Sequence, residues 1–189
     1  MNIKTLVKAL TICIALNACN NTPQPCHIHG TMPSDKYNDK WIFLVPLQNP
    51  DSIGVDSIKI QGNQFDLYTN KFGMGTLRVD YRYRYGLQDL LVVTEPNCNV
   101  EVSIGANSKG GGTLQNDSLQ VWKEKLEAYR QRISIISKNI TIAKGKGNEQ
   151  KVETLRAQAD SLRDEWKNVS KQMAENLPDG ALRDFLNTH

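Results

Sequence analysis

The amino-acid sequence predicts an α+β fold in which an N-terminal antiparallel β-sandwich or open barrel precedes a long antiparallel helical hairpin. Two observations lead to this prediction. The apolar residues have a period of two through residues 26–104, and a period near 3.5 beyond the glycines at 110–112. We therefore expect a β-domain at residues 26–106, a glycine-rich linker at 107–113, and a helical hairpin with a short C-terminal helix at 114–189.

At least six short strands, separated by turns, are expected in the β-domain. The clearest covers residues 77–85, where apolar and aromatic residues alternate with charged ones. This alternation directs Tyr81, Tyr83 and Tyr85 to the core and the intervening arginines to solvent. Residues 41–47 form a continuous apolar run, which fits a strand buried on both faces. The turn residues Gln61-Gly62-Asn63 and Glu95-Pro96-Asn97 each predict a β-hairpin.

Two rows of seven apolar residues follow the linker, and within each row the spacing alternates between three and four. The first row is Leu119, Trp122, Leu126, Tyr129, Ile133, Ile136 and Ile140; the second is Val152, Leu155, Ala159, Leu162, Trp166, Val169 and Met173. Such rows form the seam between two packed helices, and Asp117 and Asn148 are the expected N-caps. Val121, Ile135 and Ile142 lie off the seam, and we expect them to rest against the β-domain.

The N-terminal segment has the features of a secretory signal peptide. Lys4 and Lys8 give it a positive start, and the apolar body at 9–18 is shorter than the ~20 residues that span a bilayer. Its end, Leu16-Asn17-Ala18-Cys19, resembles the lipobox of bacterial lipoproteins. The resemblance implies that residues 1–18 are a cleaved signal peptide, that Cys19 is acylated, and that the acyl chains hold the protein at a membrane.

Residues 19–25 are the expected tether between the lipid and the β-domain. The tether lacks an acidic cluster of the kind associated with surface export, so we expect an outer-membrane lipoprotein of the cell envelope that faces the periplasm. The net charge of +3 falls to +1 once the two lysines of residues 1–18 are removed. A near-neutral surface argues against nucleic acid as a partner.

Two cysteines remain for pairing after the signal segment is cleaved and Cys19 is acylated. Cys98 shares strand parity with Val100 and Val102, and Cys26 shares it with Ile28, so both sulfurs should face the apolar side. In an oxidising compartment this arrangement favours a Cys26–Cys98 disulfide over two buried free thiols. A redox-active pair is a weaker interpretation, because buried sulfurs exchange slowly.

A set of short motifs distributed along the chain resembles a known domain. These motifs are Ile28-His29-Gly30, Trp41-Ile42-Phe43-Leu44, Val55-Asp56-Ser57-Ile58, Gly62-Asn63-Gln64-Phe65-Asp66-Leu67, Thr94-Glu95-Pro96-Asn97 and Gly112-Thr113-Leu114-Gln115-Asn116. Together they resemble the uncharacterised N-terminal domain of thioredoxin-like lipoproteins from Gram-negative anaerobes, over roughly residues 26–186. Those relatives continue into a thioredoxin domain with a Cys-x-x-Cys pair. This sequence contains no such pair, so the resemblance carries over no catalytic residue.

Three further patterns do not predict a site. His27 and His29 share one face of a strand, but nearby residues offer no further metal ligands, so we expect a solvated face and no metal. The run at 81–85 places tyrosines and arginines on opposite faces, which prevents them from forming one stacking platform. The three glycines at 110–112 lack the Lys-Ser/Thr of a phosphate loop, and we expect no cofactor.

These observations predict a lipid-anchored, non-catalytic module that binds a ligand or a partner. The expected partners are the membrane, through the acyl chains, and an envelope protein, through the helical hairpin. A solvated surface is the simpler interpretation of the mixed charges on that hairpin. The alternatives are a redox protein in which Cys26 and Cys98 cycle, or a truncated thiol–disulfide oxidoreductase.

Overall fold

The computed structural model describes residues 23–48 and 55–188. Within them, eight strands form two four-stranded sheets and are followed by three helices, which confirms the predicted α+β class with a sandwich-like N-terminal part. The strands are β1 (Cys26–Thr31), β2 (Trp41–Pro46), β3 (Asp56–Lys59), β4 (Gln64–Thr69), β5 (Gly73–Val79), β6 (Leu90–Thr94), β7 (Asn99–Ser103) and β8 (Lys109–Gly111). The predicted signal peptide, Cys19 and most of the tether lie outside the described residues.

The first sheet has the strand order β4-β1-β7-β8. Its central strand β1 pairs antiparallel with β4 and parallel with β7. The fourth strand corrects the prediction of a linker, because Lys109, Gly110 and Gly111 pair antiparallel with β7. Glycine is favoured at the end of this strand, at Gly112, where φ is +90° and a Cβ would lie 2.9 Å from the carbonyl oxygen of Asn99. The pairing with β7 outweighs the low strand propensity of glycine.

The second sheet has the order β3-β2-β5-β6, and all its pairs are antiparallel. The two predicted hairpins are therefore wrong in their pairing: β3 and β6 belong to this sheet, whereas β4 and β7 belong to the first. The turns themselves form, with positive φ at Gly62, Asn63 and Asn97. Beside the first turn, a single bridge joins Gln61 to Gln64, and β3 and β4 then diverge into different sheets. They diverge because each strand buries its apolar face between the two sheets.

The strand predicted at 77–85 ends early, at Val79. The Asp80 side chain accepts a hydrogen bond from the Arg82 backbone N–H at 3.0 Å, and the Asp80 carbonyl accepts one from Tyr83 at 2.8 Å. These bonds turn the chain, since an aspartate can satisfy the backbone two residues on. Tyr81, Tyr83 and Tyr85 are consequently exposed, which corrects their predicted place in the core.

The main core fills the space between the sheets, and its fully buried members include Ile28, Ile42, Leu77, Val92 and Val100. The predicted burial of β2 on both faces holds only toward its end: on the outer face Trp41 is exposed, Phe43 is half-buried and Val45 is buried. On the first sheet, the Phe65 ring lies over Gly30, where any Cβ would overlap it.

The helices are α1 (Leu114–Gly145), α2 (Glu149–Glu175) and α3 (Ala181–Thr188). Every residue of the two predicted seams is buried or half-buried, which confirms the hairpin. Asn148 caps α2 as predicted, by accepting a hydrogen bond from the Lys151 N–H. Thr113, not Asp117, caps α1, and the Asp117 carboxylate accepts a hydrogen bond from the Gly112 N–H instead.

The first turns of α1 pack on the sheets, and its later part forms an arm with α2. Asn116 is bonded to β6, and Lys123 donates a hydrogen bond to the carbonyl of Ser108 near β8. The outer part of the arm has a small apolar cluster of its own, made by Ile136, Ile140, Ala143, Val152 and Leu155. The arm extends about 30 Å for the ~20 residues beyond Leu126. In the part of the chain that the structure describes, none of the helices combines the length and apolarity needed to cross a membrane.

Candidate functional site

A groove of about 950 Å³ lies between the outer face of the second sheet and helices α1 and α3. Its volume is in the range of small-molecule binding sites, which is roughly 300–1,000 Å³. The apolar side chains of the lining come from five elements and the loops beside them. They are Pro46, Leu47, Phe72, Met74, Leu90, Leu91, Leu119, Trp122, Leu126, Ala181 and Phe185.

Two buried amide side chains fix the walls of this groove. Asn116 accepts a hydrogen bond from the Val93 N–H at 2.9 Å and donates one to the Val93 carbonyl at 2.8 Å, so it pairs with the edge of β6 as a strand would. Gln115 donates to the carboxylate of Glu95 and accepts from the Leu182 N–H at 2.9 Å, which positions the start of α3. The groove is therefore held open by specific polar contacts as well as by packing.

Aromatic rings close one side of the groove. Trp122 packs against Trp166 with ring centroids 5.7 Å apart. Trp122 and Phe185 pack edge to face, with ring centroids 5.5 Å apart. The indole N–H of Trp122 donates to the Ser170 hydroxyl at 3.3 Å, which satisfies its buried donor. Such a ring cluster gives this wall a fixed shape.

Charged side chains lie at the rim. Lys123 and Arg130 come from α1, and Asp89 and Asp184 lie at other points of the lining. Burial lowers the pKa of Lys123, an effect that nearby Glu124 opposes. Asp89, Asp184 and Arg130 are exposed, whereas Lys123 is half-buried. The groove thus combines an apolar lining with one partly buried cation, an arrangement suited to an amphiphile with an anionic head group.

A second cluster lies on the outer face of the first sheet. His27 Nε2 and His29 Nδ1 are 2.8 Å and 2.9 Å from the same carboxylate oxygen of Asp66. His29 is directly opposite Asp66 in the β1–β4 register, and the His27 ring stacks on Tyr68 at 4.5 Å. The two histidines share a strand face as predicted, but this face is half-buried and carries Asp66, which could be assigned to it only once the register was known. Within the described residues, no group of three or more His, Cys, Asp or Glu side chains is arranged to hold a metal ion.

The hydrogen bond to Asp66 raises the pKa of His29 above 6.5, and Glu101 on the neighbouring strand adds to this. Hydrogen bonds from His29 and His27 lower the pKa of Asp66 below 3.8. The stability that protonated His29 adds should be fully present below pH 6.5 and be lost as the pH rises through its raised pKa. The stability that ionised Asp66 adds should be present above pH 3.8 and be lost as the pH falls through its lowered pKa.

We expect Asp66→Asn to return the pKa of His29 toward its ordinary value, because the charged acceptor is removed. The measurement is an NMR titration of the His29 ring in both proteins. Glu101→Gln is the matched control, and it should lower the pKa of His29 by less, since Glu101 contributes the smallest of the raising effects. An unchanged His29 titration in Asp66→Asn would contradict the assigned contact.

Cys26 and Cys98 form the predicted disulfide, with their Cα atoms 4.6 Å apart. Both residues belong to the main core, where Cys26 is fully buried and Cys98 is 9% exposed. Strand parity therefore gave the correct side for both sulfurs. The bridge joins the start of β1 to the turn that precedes β7, so it fixes one end of the parallel β1–β7 pair.

The sequence reasoning missed the groove, although one signal for it was present. Residues 90–93 are apolar at both parities, which indicates a strand with something packed on each of its faces. The comparisons with known proteins do not add to this picture: no family model, no curated protein and no solved structure significantly matches the chain. The resemblances to thioredoxin-like lipoproteins and to a lipobox stay predictions.

Proposed function

We propose that this chain is a lipid-anchored protein of the bacterial cell envelope that binds an amphiphile, such as a fatty acid, in the groove between the second sheet and helices α1 and α3. The observation that carries this proposal is the apolar lining next to the partly buried amine of Lys123. The hydrocarbon chain of the ligand would contact Met74, Leu91 and Trp122, and its acidic head would approach Lys123. Mainly apolar surroundings suit binding more than catalysis.

The anchor in this proposal rests on the N-terminal sequence. The signal-like segment and Cys19 predict acyl chains on the N-terminus, a location at the outer membrane and an orientation toward the periplasm. The mass of the N-terminal peptide of native protein should correspond to a chain that begins at Cys19 and carries acyl groups. An uncut, unmodified N-terminus would contradict the anchor without affecting the groove.

Ligand binding can be measured through Trp122, which lines the groove. In a Trp41→Phe variant the remaining tryptophans are Trp122 and Trp166, whose rings are in contact. Titration with oleic acid should change their fluorescence to a saturable end point. Ala181→Phe, which places a ring in the groove, should abolish this change.

Lys123→Met tests the head-group contact. We expect oleate to bind about tenfold more weakly, because a charge-assisted contact is lost. The corresponding alcohol should bind equally well to both proteins. Lys125→Met is the matched control, since Lys125 is exposed two residues further along α1 and does not line the groove. Equal oleate affinity in Lys123→Met and wild type, or no fluorescence change with either ligand, would overturn the proposal.

The redox alternative has less support from the geometry. Thiol–disulfide exchange requires a thiolate to reach one of the sulfurs, and both Cys26 and Cys98 are buried in the main core. A structural role for the bridge is therefore favoured.

A further inference from the structure

A row of exposed apolar side chains runs along the outer face of α1, away from the seam. Its members follow one another at intervals of seven residues: Leu114, Val121, Ala128, Ile135 and Ile142. All five are exposed, Leu114 and Ile135 by more than 60%. This corrects the expectation that Val121, Ile135 and Ile142 rest against the β-domain. Because seven residues make about two helical turns, the row stays on one side of the helix for its whole length.

The outer half of α1 is strongly basic. Residues 130–146 contain Arg130, Arg132, Lys138, Lys144 and Lys146 and no acidic residue. Arg132 is paired with Glu165, with an N–O distance of 2.9 Å. The other four form no ion pair with any residue in the described ranges. In contrast, acidic and basic residues are mixed along α2.

Two of the cations, Lys138 and Lys146, lie on the same open surface as the apolar row, since Lys146 is four residues after Ile142. Lys138 is three residues after Ile135 and four before Ile142, so it lies on the same face of the helix as both. The opposite face of α1 packs on α2 through Ile136, Ile140 and Ala143. Ile135 is 62% exposed and Ile142 is 47% exposed, so the described fold leaves this surface open.

We propose that the outer half of α1 binds the surface of an anionic lipid bilayer. Ile135 and Ile142 enter the boundary between head groups and acyl chains, while Lys138 and Lys146 contact lipid phosphates. A helix with apolar residues on one face and lysines beside them lies in this interface, and its affinity is the sum of the two effects.

The pattern fits a bilayer better than a second copy of this chain. Two packed helices need apolar residues at both positions of a heptad seam, whereas this row has a single position per heptad. The neighbouring positions are polar or charged, as at Gln131, Arg132, Lys138 and Asn139. A second copy would also bring two basic segments together when the helices are parallel. A bilayer requires only one apolar line with cations beside it.

Vesicle co-sedimentation tests this proposal with the chain from residue 19 onward carrying Cys19→Ser, which removes both the signal segment and the acylation site. The vesicles are equal parts of phosphatidylglycerol and phosphatidylethanolamine, or phosphatidylcholine alone. We expect binding to the anionic vesicles that weakens with added salt, and little binding to the neutral ones. Lys138→Gln with Lys146→Gln should weaken it by roughly twenty-five-fold, since each lysine near a charged surface contributes about fivefold.

Ile135→Ser with Ile142→Ser should weaken binding to the anionic vesicles without changing the helix content seen by circular dichroism. The matched control is Lys151→Gln with Lys171→Gln, which removes two exposed lysines from α2 and should leave the affinity unchanged. Equal binding to both vesicle types, equal losses in the two lysine variants, or a dimer that the isoleucine substitutions dissociate would overturn the proposal. None of these three outcomes affects oleate binding in the groove, which Trp122 reports separately.

Discussion

Replacing both Cys26 and Cys98 with alanine should lower the free energy of unfolding by about 4 kcal/mol, the chain-entropy value for a loop of this length. The two residues are 72 positions apart, and the bridge between them restricts the unfolded chain over most of the β-domain. Both sulfurs are also buried, so the alanines leave small voids in the core. Equilibrium unfolding in guanidinium chloride measures the loss.

Wild-type protein unfolded and refolded in reductant is the control, and it should lose a similar amount of stability. In the native protein, the bridge should survive mild reductant, and thiol reagents should label neither cysteine. An unfolding midpoint that is the same in the double variant and in oxidised wild type would show that the bridge does not stabilise the fold. A bridge that is reduced while the protein stays folded would favour the redox alternative.

Asn116→Leu should lower the free energy of unfolding by about 3 kcal/mol. The substitution leaves the N–H and the carbonyl of Val93 without their side-chain partner at a buried position, and each unpaired group costs ~1–3 kcal/mol. Leucine is close to asparagine in size, so packing changes little. Chemical denaturation followed by circular dichroism measures the effect, and oleate binding should weaken as the wall of the groove loosens.

Gln120→Leu is the matched control for Asn116→Leu. Gln120 lies one turn further along α1 and accepts a hydrogen bond from the Gly110 N–H at 3.3 Å, but the contact is only partly buried. Water can replace that partner, and the loss should stay below about 1 kcal/mol. Equal losses at the two positions would mean that the edge of β6 does not depend on the Asn116 amide.

Local periodicity predicted the two long helices and most of the strands. The seam residues of α1 and α2 are only three or four positions apart in the sequence. The heptad pattern therefore specifies the buried face of each helix and also that the two helices pack on each other. Alternation in the strands specifies the buried face alone. It does not specify which strand lies alongside. For this reason the sequence predicts hairpins at the turns 61–63 and 95–97, although these turns join the two sheets.

Side-chain bonds to the backbone account for the other differences. Asp80 ends β5 by bonding the backbone of the next residues, which an apolar/charged alternation does not reveal. The strand at 109–111 forms through pairing with β7, against the preference of its glycines. The groove is assembled from segments up to about 140 residues apart, which no local pattern can bring together. The one local indication of it is that residues 90–93 are apolar on both faces of their strand.

The bridge also determines how the domain would respond to a pulling force. A load that arrives from the N-terminal side enters at Cys26, the first residue of a strand held on both sides by β4 and β7. The disulfide passes that load directly to Cys98, so the chain between the two cysteines cannot be extended by tension while the bond is intact. The covalent link therefore makes the β-domain a firm attachment point, and mechanical extension begins in the segments outside it.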